Sequence, residues 1–352
     1  MSIAEIWKNN ANLPTIAEMQ VLKAEHICIK PFEPEKDGYI FLHGAAIVNF
    51  KGKMYCTWAH NKEYENSGME ELNYAVSADG GMTWSDCIKG ECAPEEGIAV
   101  SHGVFLIFED RLYLFAPVYR DSIYSDVFRM CAYCLNEETE RFEYIGVVLD
   151  EHFWPMCEPV LMENGNYILP GIFLADTWNS AGNTAAVAIS HGSDILHWDM
   201  VKLEHEDSIR VWGECCVIAD GYHVKLYCRE NMGIHKALYS ESFDYGRTWI
   251  PMEISNLPMI DSKPYAGRLS NGRGYLICSC AEDIQCRSPL TIALTEKVEE
   301  KFSCIYKIAE GNALSYPYAV ETDGKLYIVY SSGSGFNRNS AMLAIIDMED
   351  LA

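Results

Sequence analysis

Positive charge is what this chain has least of. Its 352 residues carry 27 Lys and Arg against 51 Asp and Glu, a net charge of −24. Nucleic acid and anionic membrane surfaces both repel such a balance, so neither is an expected partner. Long apolar runs are missing too: none approaches the ~20 residues that a membrane span needs. The opening residues, MSIAEIWKNNANLPT, show no basic segment followed by an apolar one. No export signal is therefore expected, and a cytoplasmic location is. Helical periodicity is nearly absent after residue 20. Cysteine is plentiful at 14, yet it lacks the pairing of a metal site: Cys131 and Cys134 form a C-x-x-C with no second such pair. Cys215, Cys216, Cys228, Cys278 and Cys280 lie in apolar runs and read as reduced, buried thiols. No metal and no cofactor is expected.

What recurs is a short unit: an apolar strand, a Gly or Asp turn, then a strand with a tyrosine. Residues 47–55, 104–113 and 160–167 are three copies, and further copies turn at Gly221, Gly272 and Gly324. The turns thus fall at Gly52, Asp110, Gly165, Gly221, Gly272 and Gly324, a period of roughly 50–60 residues. About 30 residues after each of the first five comes an aromatic: Trp84, Phe142, Trp198, Trp249 and Phe302. Two of these close a longer match, S-x-D-x-G-x-T-W, at 77–84 and 242–249. In that spacing the Asp carboxylate can accept hydrogen bonds from its own turn. The Gly is free to take a positive φ, and the indole plugs the space beside the hairpin. The sixth unit has no such hairpin. Its outer strand is expected from 21–29, which closes a ring and removes exposed sheet edges. The fold expected is all-β: one six-bladed β-propeller of four-stranded antiparallel blades spanning 1–352. Blades are placed at about 40–90, 98–148, 155–205, 211–256, 260–308 and 313–350, the last completed by 19–30. Residues 1–18 read as a short helix or arm.

In such a ring the start of each inner strand faces the central channel, seven to nine residues before the turn. His43, Ser101 with His102, Glu158, Glu214, Lys263 and Tyr316 stand there. Polar groups at one level of otherwise apolar strands point to a pocket. Glu214 opens the inner strand of the fourth unit, and Arg229 ends the strand after it, which brings both to the channel. Trp154, Trp178 and Trp212 flank the third and fourth inner strands and suit stacking against a sugar face.

The S-x-D-x-G-x-T-W hairpin is known as the Asp box, and the chain resembles the sialidase superfamily of β-propellers over essentially its whole length. The resemblance implies a glycoside hydrolase that removes a terminal, acidic or modified sugar from a small oligosaccharide. It makes Tyr316 the nucleophile and Glu214 the base that helps deprotonate it. A phenol of ordinary pKa, about 10, attacks poorly unless a base takes its proton. Tyr318, two residues on, shares the strand face by simple alternation and is an alternative nucleophile. The resemblance makes Arg229 and Arg287 substrate-binding arginines, with Lys263 and Arg268 as further cations at the channel. Sialidases carry an acid/base carboxylate on the loop that corresponds to 60–71, where Glu65 or Glu71 can serve. In blade one the family has an aromatic-Arg-Ile-Pro segment whose arginine grips a carboxylate; here Phe41, Leu42 and His43 occupy that place. Histidine is not a fixed fork of positive charge. Superfamily relatives built around histidines act on other acidic or deoxy sugars, by hydrolysis or by elimination. A lyase with a His or Tyr base acting on a uronate is one alternative. A sugar-binding propeller without catalysis is another. The hairpin at Trp198 also resembles one in five-bladed furanosidases, but six repeats do not fit five blades.

Overall fold

Every turn of the sequence repeat joins the inner two strands of a blade. The computed structural model describes residues 3–90, 93–175, 182–333 and 339–352. Blade one runs Phe41–Phe50, Lys53–Asn61, Glu71–Ser77 and Ile88–Lys89. Blade two has its inner strand in two pieces, Ala99–Val100 and Val104–Phe108, followed by Arg111–Tyr119, Phe128–Asn136 and Arg141–Leu149. Blade three likewise begins in two pieces, Phe153–Pro155 and Val160–Leu161, before Tyr167–Phe173, Thr184–His191 and Asp194–Lys202. Blades four and five are Val211–Asp220, His223–Glu230, Lys236–Ser242, Glu253–Pro258 and then Tyr265–Arg268, Gly274–Cys278, Leu290–Thr295, Phe302–Ala309. Blade six is Ser315–Thr322, Lys325–Gly333 and Asn339–Asp347, completed by Glu25–Lys30. That last strand pairs antiparallel, with His26 opposite Ala344 and Cys28 opposite Met342. The ring is closed as the repeat pattern predicts, and the edge that Asn339–Asp347 would otherwise expose is covered.

Among the described residues, 3–18 form an arm without a helix. Ile3–Ala4 pairs parallel with Ile254 and Ser255 of blade four, and single bridges join Trp7 to Phe302 and Val21 to Lys307 of blade five. Asn256 fixes the crossing point by accepting the backbone N–H groups of Ile6 and Trp7 at 3.0 and 2.9 Å. Among the described residues no helix is long and apolar enough to cross a membrane.

Strands buried on both faces read as continuous apolar runs, because neighbouring blades pack against each side. Thr184–His191 is an example, buried at every position but the last. The recurrent outer aromatics serve the same packing. Phe142 meets Tyr74 of blade one at 5.4 Å, Trp198 meets Phe115 of blade two at 5.7 Å, and Phe302 meets Tyr227 of blade four at 5.4 Å. Each outer hairpin therefore docks on the blade before it.

The two full boxes are near-copies in three dimensions. Asp79 accepts the Thr83 N–H at 2.9 Å and the Thr83 hydroxyl at 2.6 Å; Asp244 accepts the same groups of Thr248 at 2.8 and 2.7 Å. Gly81 and Gly246 take φ of 85° and 79°, and each carbonyl accepts the indole N–H of Trp84 or Trp249. The hydrogen bonds from Thr83, its hydroxyl first, hold the Asp79 carboxyl down at about 2.

Candidate active site

A regular ladder cannot turn a side chain out of its pleat, and the inner strands break where the channel residues stand. In blade one the register shifts between His43 and Ala46, with Gly44 at φ 65°. A Cβ on Gly44 would lie 2.2 Å from the His102 ring, so only glycine lets the two histidines approach. In blade four the shift falls between Val211 and Cys215, with Gly213 at φ 108° just before Glu214. In blade six it falls between Ser315 and Tyr318, and there Tyr316 itself is left-handed, at φ 54°. His102 and Glu158 occupy the gaps in the two-piece inner strands of blades two and three, and Lys263 stands two residues before the inner strand of blade five.

The breaks of blades one, four and six converge on a cavity of about 570 Å³, lined by His43, Glu65, Trp212, Arg229, Arg287 and Tyr316 among others. The Tyr316 hydroxyl donates to Glu214 Oε1 at 2.5 Å. Arg229 Nη1 donates to the other oxygen, Oε2, at 2.9 Å. Glu214 lies behind them, 2% exposed. The Arg229 guanidinium sits 5.2 Å over the Trp212 ring. His43 stands edge-on to Tyr316 at 5.3 Å and to His102 at 4.9 Å, with its Nε2 3.8 Å from Glu65 Oε1.

The protonation states follow from this packing. Burial alone would raise Glu214, but the Arg229 charge and the hydrogen bonds from Tyr316 and Arg229 outweigh it and hold the carboxyl below its usual value. Burial, then the Glu214 charge, push the Tyr316 phenol well above its ordinary value, against the pull of Arg229 and Arg287. The phenol therefore keeps its proton at rest. Glu65 still reaches solvent, its side chain 39% exposed, yet partial burial and the Glu214 charge raise it to about 7. His43 is driven down to about 3 by burial and is a neutral imidazole; His102 is lowered well below its ordinary value for the same reason, then by His43.

Other expected site residues lie elsewhere. Tyr318 does not share the face of Tyr316, because the bulge between them changes the alternation. It packs instead in a buried cluster with Glu158, Lys263 and Tyr265. There the Tyr265 hydroxyl donates to Glu158 at 2.6 Å, and the fully buried Lys263 donates to the Met156 and Pro317 carbonyls. Arg268 ends its inner strand, on the far side from the cavity, and faces Asp220 at 3.3 Å. Of the two loop carboxylates, Glu65 lines the cavity, whereas Glu71 begins a strand and accepts the Tyr39 hydroxyl. Glu70, which sequence reading passed over, is buried and accepts the Asn66 N–H at 3.0 Å, tying down the residue next to Glu65. Trp154 is buried against His102 at 4.9 Å, and Trp178 lies outside the described residues. Asp261, His235 and Asn339 also line the cavity. No repeat marker points to them; only Asp261 had a signal, two residues before Lys263. Among the described residues no three His, Cys, Asp or Glu side chains gather as a metal site would require.

Residues 155–328 match a family profile described as a BNR repeat-like domain. No curated protein sequence matches the chain. Solved structures do. A protein of unknown function from Dyadobacter fermentans DSM 18053 superposes with a TM-score of 0.70 at 13% identity, over 92% of this chain and 98% of that one. Hadza microbial sialidase Hz136 superposes at 0.72 with 12% identity, over 92% and 68%. Trypanosoma rangeli sialidase, as a covalent intermediate with 2,3-difluorosialic acid, superposes at 0.68 with 15% identity, over 95% of this chain. The chain spans 60% of the length of that sialidase.

Proposed function

We propose that this six-bladed propeller is a sialidase-like glycoside hydrolase that removes a terminal sugar from a small glycoside by way of a tyrosine nucleophile. The observation that carries this reading is the Tyr316–Glu214 hydrogen bond of 2.5 Å, with Arg229 bound to the second carboxylate oxygen. A phenol so far from ionisation at rest needs a base in contact as it attacks, and Glu214 is in contact. In the first step Tyr316 Oη bonds to the anomeric carbon while its proton passes to Glu214. The glycosidic C–O bond breaks, and Glu65 gives its proton to the departing oxygen. In the second step Glu65 takes a proton from the attacking water. The bond to Tyr316 Oη breaks, and Glu214 returns the proton to the phenol. A Glu65 carboxyl raised to about 7 is matched to both duties at neutral pH. A covalent intermediate trapped in a sialidase of the same fold is consistent with a two-step route. A neutral His43 of such low basicity weighs against a histidine-based elimination.

The test is a panel of aryl glycosides, with ultraviolet absorbance followed for unsaturated products. Wild type is expected to release the aglycone. Tyr316→Phe and Glu214→Gln are each expected to lose at least about a thousandfold in kcat/KM. Full activity in both variants sinks the assignment. An absorbance rise in place of hydrolysis means elimination, and sugar binding without turnover means a binding module.

A further inference from the structure

The cavity carries an anion of its own on its arginine side. Asp261 lines the cavity with a side chain 45% exposed. Its Oδ2 stands 3.9 Å from Arg229 Nη2, and its backbone carbonyl accepts Arg287 Nη2 at 2.8 Å. Arg229 is held from its other side by Glu214. Glu214 and Asp261 thus both set a carboxylate against Arg229, Arg287 is held through the Asp261 backbone carbonyl, and Glu65 adds a third carboxylate to the cavity. A sugar carboxylate seeking either guanidinium meets Asp261 beside it, and like charges brought together disfavour the complex. The hydrogen-bonding capacity left over is of another kind. His43 Nδ1 and Arg229 Nε are buried without a partner, on two side chains that line the cavity. A neutral imidazole nitrogen and a single N–H suit hydroxyl or amide groups of a sugar.

We propose that Asp261 is a specificity-determining residue, a built-in counter-ion beside Arg229 that makes the pocket prefer a sugar uncharged at that position over one carrying a carboxylate there. This rests on reading the cavity as a sugar site, and on nothing about turnover. The competing role for Asp261 is to aim the arginines at a substrate carboxylate, and it predicts the opposite response to mutation. Asp261→Asn keeps the size of the side chain and leaves its backbone carbonyl for Arg287. N-acetylneuraminate and its methyl ester are titrated by calorimetry into the full-length wild type and the variant. The variant is expected to bind N-acetylneuraminate at least about tenfold more tightly than wild type does, while the ester does not discriminate between them. Equal or weaker binding of N-acetylneuraminate by the variant, or none by either protein, overturns the proposal. Asp261→Ser, checked by its melting curve, supplies the same comparison should the asparagine disturb the fold. Failure of the hydrolysis test leaves this one standing, since it reads binding alone.

Discussion

At the residue scale, the proposed mechanism divides its work among three side chains by their surroundings. Glu214 is held ionised by Arg229, Tyr316 is held neutral by burial and by Glu214, and Glu65 sits near its midpoint at neutral pH. The pH dependence follows with its sign. The proposed mechanism needs Glu214 charged, so the acid limb of kcat/KM is expected below the usual carboxylate range. It also needs Glu65 protonated to assist departure, so the profile is expected to fall as pH rises through about 7. Glu65→Gln should remove that upper limb and cost about a hundredfold or more with a poor leaving group. With nitrophenyl glycosides the cost should be far smaller, because nitrophenolate departs without a proton. An upper limb that persists in Glu65→Gln assigns it to another group. By sequence Glu65 and Glu71 are equivalent carboxylates on an acidic loop; the fold separates them, with Glu71 taken up by Tyr39 and Glu65 lining the cavity.

At the element scale, the inner strands trade ladder regularity for aim. Gly44 and Gly213 supply positive φ where blades one and four shift register, and Tyr316 takes it without being glycine. A left-handed tyrosine costs about 1–3 kcal/mol and is kept only where its surroundings fix it. Gly44→Ala tests how far the aim depends on the bulge. The new Cβ would stand 2.2 Å from the His102 ring, so His102 must move, and with it the edge contact to His43. The expected loss is about 1–3 kcal/mol of stability together with a clear drop in kcat, read from denaturant melts and initial rates. Asp244→Ala makes the contrast. It removes the acceptor of the Thr248 N–H and hydroxyl in an outer hairpin, so the melting temperature should fall by a few degrees with kcat unchanged. A large change in kcat there would mean that the outer hairpins are coupled to the cavity.

At the scale of the whole molecule, closure is the governing fact. Glu25–Lys30 supplies the fourth strand of blade six, and Glu214 meets Tyr316 across 102 residues of chain. Removing residues 1–30 should leave Asn339–Asp347 as a bare edge and yield aggregated or unfolded protein by size-exclusion chromatography. Removing only 1–8 takes away the short strand on blade four and the Trp7 bridge on blade five but leaves the ring shut. A lower melting temperature with retained kcat is expected of that shorter truncation. A folded, active monomer lacking 1–30 would show that the closing strand is dispensable.

The repeat of Gly and Asp turns, the phase of the outer aromatics and the paired boxes determined the blade count, the closing strand and the level of the channel. All of these depend on local turn chemistry and on alternation, which a sequence carries openly. The pairing of Glu214 with Tyr316 was also within reach, through its resemblance to a known propeller. What the tertiary structure decided lies where alternation fails or distant segments meet. Two residues apart on a strand, Tyr316 and Tyr318 should point the same way; a bulge between them sends one to the cavity and the other into a buried cluster with Glu158 and Lys263. Arg268 keeps a regular strand and ends on the far side from the cavity, with Asp220. Asp261 and Arg287 come together from separate loops of blade five, and no pattern along the chain marks that contact. An inserted residue changes which face a side chain takes, and ring closure sets which blades share a cavity; neither is written in the local sequence.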